Sequence, residues 1–135
     1  VRTVEAYIEG QHTYFVLETL ETLRNNGRLK GIKSLMASAL NIKPVMGSTP
    51  QGTICQLGQA RGIRKALEKM IDEIVRGVKK PEEKVLAISH CNCPERAKKV
   101  KELLLERIRP KDVIVLDTAG ISSMYAADGG IIVVV

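Results

Sequence analysis

The sequence has no tryptophan, one phenylalanine and three tyrosines in 135 residues. So small an aromatic set requires an aliphatic core and leaves almost no stacking platform for single-stranded nucleic acid. No run of residues approaches the ~20 apolar positions of a membrane-spanning helix. The three cysteines, Cys55, Cys91 and Cys93, cannot all pair, and Cys91 and Cys93 stand too close for an ordinary bridge. That favours reduced thiols and a cytoplasmic setting. The most telling absence is of negative charge. Between residues 22 and 67 there is no Asp or Glu.

What that tract does contain is Arg24, Arg28, Lys30, Lys33, Lys43, Arg61, Arg64 and Lys65. These eight cations exceed the net charge of +6, so the rest of the chain is slightly acidic, at −2. The tract also holds Leu29, Ile32, Leu35, Met36, Leu40, Ile42, Val45 and Met46. Cations mixed with that much apolar surface predict a folded face turned toward something anionic and greasy.

The whole is 44% hydrophobic and 27% charged, the balance of one folded domain. At this length roughly two-thirds of the unfolded surface can be buried. The chain opens on Val1 and closes on an uncapped apolar run, and reads as a fragment of a longer protein.

Periodicity predicts strands over residues 13–17, 42–46, 53–57, 84–89, 113–116 and 131–135. Helical spacing appears over 18–24, 29–40, 59–78 and 94–108. In the third helix Ile63, Leu67, Met70, Ile71, Ile74 and Val78 form one stripe, with Arg64/Glu68 and Lys69/Glu73 as expected surface pairs. In the fourth, Ala97, Val100, Leu103, Leu104 and Ile108 point inward, Pro94 suits the first helical position and Cys93 stands as the cap. Pro44 confines its strand to an edge or a strand start. Residues 119–130 read as a Gly/Ser/Ala-rich loop. The hairpin over 42–57 demands an antiparallel element, and the strand–helix–strand unit over 84–116 a parallel pair. The expected fold is α/β: a two-layer sandwich with a mixed, mostly antiparallel sheet of about six strands and helices on one face.

Several short segments bear on chemistry. Gly27-Arg28 follows a helix stop, where an Arg fork can meet a carboxylate or phosphate and a plain helix C-cap is equally consistent. Lys43 stands beside Pro44, open to an anion or to simple solvation. Arg61 lies in Gly58-Gln59-Ala60-Arg61-Gly62, which opens the long helix but lacks both a P-loop and a dinucleotide fingerprint. His90-Cys91-Asn92-Cys93 collects three soft ligands without a second cluster, so no metal is predicted. Neighbouring strand residues face opposite ways, which argues against a Cys93–His90 nucleophile pair.

In order and spacing, Leu23-Arg24-Asn25-Asn26-Gly27-Arg28-Leu29, Leu40-Asn41-Ile42-Lys43-Pro44-Val45, Gln59-Ala60-Arg61-Gly62 and the closing glycine loop with its strand resemble the C-terminal domain of the DegV family. Members of that family are bacterial fatty-acid-binding proteins, some of them the acyl-carrying subunit of a fatty acid kinase. The resemblance implies two α/β domains with one fatty acid between them. Here it implies a linker or the end of an inter-domain helix over residues 1–10, a DegV-like C-terminal domain over 11–135, and a missing N-terminal domain. It places Arg28 near the lipid head group, where phosphate transfer needs it, and Arg61 on a surface that docks the kinase. Tyr125 sits where many members have a His that touches the carboxylate; tyrosine donates a hydrogen bond but is never a cation. Gln59 stands where a Lys is common.

The resemblance thus implies a lipid-binding half-protein, not an enzyme. Its partners are a long-chain fatty acid and a fatty acid kinase subunit, and it needs no cofactor and no metal. An uncovered apolar face leaves a homodimer of the fragment open. The alternatives from the residues alone are a basic nucleic-acid-binding module, which has no recognition motif to support it, and a non-catalytic fragment of a kinase-related enzyme.

Overall fold

A computed structural model describes residues 1–32 and 41–135. In chain order the elements are α1 (Arg2–Glu9), β1 (Thr13–Val16), α2 (Glu21–Asn25), β2 (Ile42–Ser48), β3 (Ile54–Arg61) and α3 (Ile63–Gly77). A short 3-10 turn follows at Pro81–Glu83, then β4 (Val85–His90), α4 (Pro94–Leu105), β5 (Asp112–Asp117), α5 (Gly120–Ala126) and β6 (Ile131–Val134). Much of the helix expected over 29–40 lies outside the described residues, and with it Lys33, Leu35, Met36 and Leu40.

The six strands form one sheet in the order β3-β2-β1-β6-β4-β5. Among the described residues only β4 and β5 pair in parallel, and every other pair is antiparallel. This is the mixed, mostly antiparallel sheet that the hairpin and the strand–helix–strand unit required. Pro44 is tolerated inside β2 for a local reason. β1 pairs with β2 only at Tyr14↔Gly47 and Phe15↔Met46, so beside Pro44 the ladder is one-sided, toward Gln59 of β3.

The main core lies under α3 and α4. Ala66, Leu67, Met70, Ile71 and Ile74 of α3 and Ala97, Val100 and Leu104 of α4 are buried. They meet Tyr14, Val16, Val45, Leu86, Ile88, Ile131 and Val133 on one face of the sheet. Each fully buried aliphatic side chain there contributes about 1.5–3 kcal/mol. The apolar stripes read from sequence are the ones that pack.

Strand residues alternate between faces, so Phe15, Met46 and Ile132 point the other way. On that second face the short helices α2 and α5 build a smaller cluster with Leu17, Leu23, Leu29 and Ala126. Two departures from expectation bear on the site. The long helix starts at Ile63, not near 59, because Ala60 and Arg61 stay in the ladder opposite Lys43 and Ile42. The segment read as a loop over 119–130 contains α5, whose Tyr125 and Ala126 dock on the second cluster. Docking of Tyr125 and Ala126 overrides the segment's weak helix propensity.

Candidate functional site

The second face is only partly covered. Its far side belongs to β5, an edge strand whose Ile114 and Leu116 lie opposite Ala87 and Ser89 of β4. Ile114 is 41% and Leu116 51% exposed, and on α5 Ile121 and Met124 are 72% and 53% exposed. Ile114 and Leu116 share one face of β5, and Ile121 and Met124 lie a turn apart on α5, so both elements expose large apolar side chains. At the lower end a groove of about 340 Å³ runs between α1 and the sheet, lined by Tyr7, Ala87, Ile114 and Val134 among others. Ile114 thus belongs both to this groove and to the exposed face of β5.

Arg28 is positioned by the end of α2. Gly27 takes φ 68°, a left-handed backbone that glycine adopts without strain, and closes the turn. The Arg28 amide then donates to the Leu23 carbonyl at 2.8 Å. Flanking Leu23 and Leu29 are buried in the second cluster, which holds Arg28 at the surface beside them. Tyr125 is half-buried against the same cluster. The segments carrying Arg28 and Tyr125, remote in sequence, thus converge on one face. Arg61 is not part of that group. It ends edge strand β3 opposite Ile42, exposed, with Arg64 and Lys65 in the first turn of α3.

Lys43 is engaged within the protein. Its Nζ lies 3.1 Å from Glu18 Oε2 and donates to the Glu18 carbonyl at 2.7 Å. Arg96 approaches the other carboxylate oxygen of Glu18 at 2.9 Å and donates to the Gly129 carbonyl. Beside this network a cleft of about 450 Å³ is lined by Glu18, Arg24, Asn41, Lys43, Gln56 and Gln59, with other residues of the β1–α2 connection. Sequence reasoning missed Glu18 and Arg96. The only available signal was the position of Glu18 just ahead of the acid-free tract.

The two thiols of the soft-ligand segment face different clusters. Cys91 packs against the second-face cluster and Cys93 against the main core. All three cysteines are free thiols. Burial pushes the Cys93 thiol above its ordinary value, with nearby Arg96 pulling the other way. His90 is buried; its Nδ1 accepts the Cys93 amide at 3.3 Å and its Nε2 lies 3.4 Å from Asp117 Oδ1. It ties the ends of β4 and β5 to the start of α4. Among the described residues no group of three or more metal-ligating side chains converges, and no helix is long and apolar enough to cross a membrane.

A family model described as "Uncharacterised protein, DegV family" matches residues 1–135. A DegV domain-containing protein of Streptococcus gordonii is 30% identical over 132 residues, 98% of this chain but 46% of the relative. A crystal structure of a DegV family protein from Ruminococcus gnavus, described with vaccenic acid, is 64% identical with a TM-score of 0.95. The match covers 99% of this chain and 48% of that one. The fatty acid kinase B3 protein of Streptococcus pneumoniae, loaded with linoleic acid, is 28% identical with a TM-score of 0.86, over 98% of this chain and 47% of that one. The chain thus spans about half the length of each of these relatives.

Proposed function

The chain belongs to the DegV family, and from that premise we propose that it forms one wall of a fatty-acid-binding protein. The observation that carries the reading is the exposed apolar wall of Ile114, Leu116, Ile121 and Met124, on the sheet face that the long helices leave free. An acyl chain lies along this wall, and the other half of a longer protein closes over it. In that arrangement α1 leads in from the other half and residues 11–135 form the C-terminal domain. The lipid complexes of the Ruminococcus and Streptococcus proteins support the ligand class.

The head group lies at the Arg28 and Tyr125 end. The Arg28 fork supplies charge for the carboxylate, and the Tyr125 hydroxyl donates a hydrogen bond. Arg61, with Arg64 and Lys65, forms a cationic corner on another side of the domain, suited to a kinase partner. The protein presents the acyl carboxylate; the partner supplies nucleotide and metal. Its three free thiols fit a cytoplasmic setting. Without its cover the apolar wall makes the isolated chain self-associate. A nucleic-acid reading has no recognition motif behind it, and one of the tract's eight cations, Lys43, is neutralised by Glu18.

The test is mass spectrometry of the natural protein that carries this chain, purified under native conditions. Fatty acid at close to one equivalent is expected. A protein that carries no acyl chain and takes none up from fatty-acid micelles refutes the reading.

A further inference from the structure

Arg28 and Tyr125 reach one face from segments far apart in the chain, and a head-group site needs them held at fixed separation. Glu18 stands where that can be done. It lies in the connection between β1 and α2, upstream of Arg28. One carboxylate oxygen meets Lys43 of β2 at 3.1 Å, and the other meets Arg96 of α4 at 2.9 Å. Arg96 also donates to the Gly129 carbonyl, three residues after the end of α5.

The Gly129 loop is shaped for this contact. Its φ is 84°, and a Cβ there would stand 2.7 Å from Arg96 Nη1 and 3.0 Å from Glu18 Cγ. The loop is tied on its other side as well. The Gly129 amide donates to the Cys91 carbonyl at 2.8 Å, and the Cys91 amide to the Gly130 carbonyl at 3.0 Å. Asn92 Nδ2 donates to Asp128 Oδ1 at 3.0 Å. A single carboxylate therefore links the approach to Arg28, strand β2, helix α4 and the loop that follows Tyr125.

We propose that Glu18 is the positioning residue of the head-group end, fixing the Arg28 segment against the Tyr125 segment through Lys43 and Arg96. The proposal rests on the fatty-acid reading above. Its physical basis is charge. Lys43 and Arg96 are 17% and 26% exposed, and both crowd one anion. Without that anion the two cations repel, and the long Arg96 side chain is free to leave for solvent and release Gly129. A neutral amide of the same shape does not replace it, because it balances neither charge.

The experiment compares Glu18→Gln, Arg96→Gln and the double variant in the natural protein that carries this chain. Amide hydrogen exchange reads the loop, and titration with oleate after delipidation reads binding. Each single variant is expected to speed exchange at Gly129 by about fivefold or more, as loss of a partly exposed ion pair predicts. Amides of Ile88 and Val133, deep in the β4–β6 ladder, stay unchanged. Oleate binding weakens by a similar factor, and the double variant is no worse than either single one, since both cut the same link. Unchanged exchange at Gly129 overturns the proposal. So does faster exchange at Gly129 with undiminished oleate binding, or faster exchange spread equally through Ile88 and Val133. A parent protein that binds no oleate overturns the lipid reading and the proposal with it, while its exchange data still tell whether Glu18 holds the loop.

Discussion

Replacing Leu116 with Gln puts the apolar wall to the most direct test. Leu116 is 51% exposed on edge strand β5, so about half of its side chain is already in water in the isolated chain. Full burial of a leucine is worth ~1.5–3 kcal/mol, so losing the buried half of Leu116 costs about 0.8–1.5 kcal/mol, centred near 1. For a domain of this size that lowers Tm by roughly 4 °C. The lipid complex responds differently. The introduced side-chain amide would lie against acyl methylenes with no partner to satisfy it, a penalty of ~1–3 kcal/mol. At ~2 kcal/mol the dissociation constant rises about thirtyfold. Leu105→Gln is the matched control: Leu105 is 42% exposed, but on α4, in the layer on the other side of the sheet. Both variants should show a similar small loss of Tm by differential scanning fluorimetry, and only Leu116→Gln should weaken a fluorescent fatty acid in a displacement assay. If the two weaken lipid binding equally, or Leu116→Gln leaves it unchanged, the wall is not on β5.

Four further outcomes are expected. Ile74→Ala removes a fully buried side chain from the α3–sheet core and should cost about 3–4 kcal/mol in chemical denaturation, with lipid specificity unaltered. Tyr14 has its pKa raised above 10.0 by burial and by the nearby charge of Glu73. The folded state therefore holds that proton more tightly, so stability is intact below pH 10 and falls as pH rises past it toward the folded value; Tyr14→Phe should flatten that alkaline loss in denaturant titrations. Arg28→Ala should lower fatty-acid retention about tenfold, as loss of a charge-assisted contact predicts. Arg61→Ala should instead reduce phosphate transfer by the kinase partner, measured on lipid-loaded protein with radiolabelled ATP.

Much of the architecture is readable from short-range pattern. The α3 stripe from Leu67 to Ile74 and the α4 stripe of Ala97, Val100, Leu104 and Ile108 repeat at helical spacing, and these are the residues that became buried. Pro94 and Gly27 act within a turn of themselves, so their effect is local and visible. Where the pattern misled, a distant partner decided. Gln59 to Arg61 carry helix-compatible residues but remain in β3 because β2 offers them a ladder. Residues 120–126 lack any strong helical signal and fold as α5 because Tyr125 and Ala126 find an apolar cluster to cover. Within α3 the ion pair formed is Glu73–Arg76, not the expected Arg64/Glu68 or Lys69/Glu73. Such pairs differ by only a few tenths of a kcal/mol, too little for spacing alone to choose between them.

The candidate site divides the same way. The acid-free tract, the Gly27-Arg28 turn and the sparse aromatics were properties of the sequence by itself, and they determined a basic, aliphatic domain with a cation-rich segment. Which cations remain available was decided only in three dimensions. Lys43 looked like a candidate for an external anion, yet it closes on Glu18, 25 residues away, once β1 and β2 lie side by side. Arg96 meets the same carboxylate from helix α4. Charges act over ångströms in space, not over positions in a chain, so their pairing follows from strand order and helix packing. The open apolar wall has the same origin. Ile114 and Leu116 fall in the strand expected over 113–116, and only the placement of β5 at the sheet edge, with these two on the face away from α3 and α4, leaves them exposed.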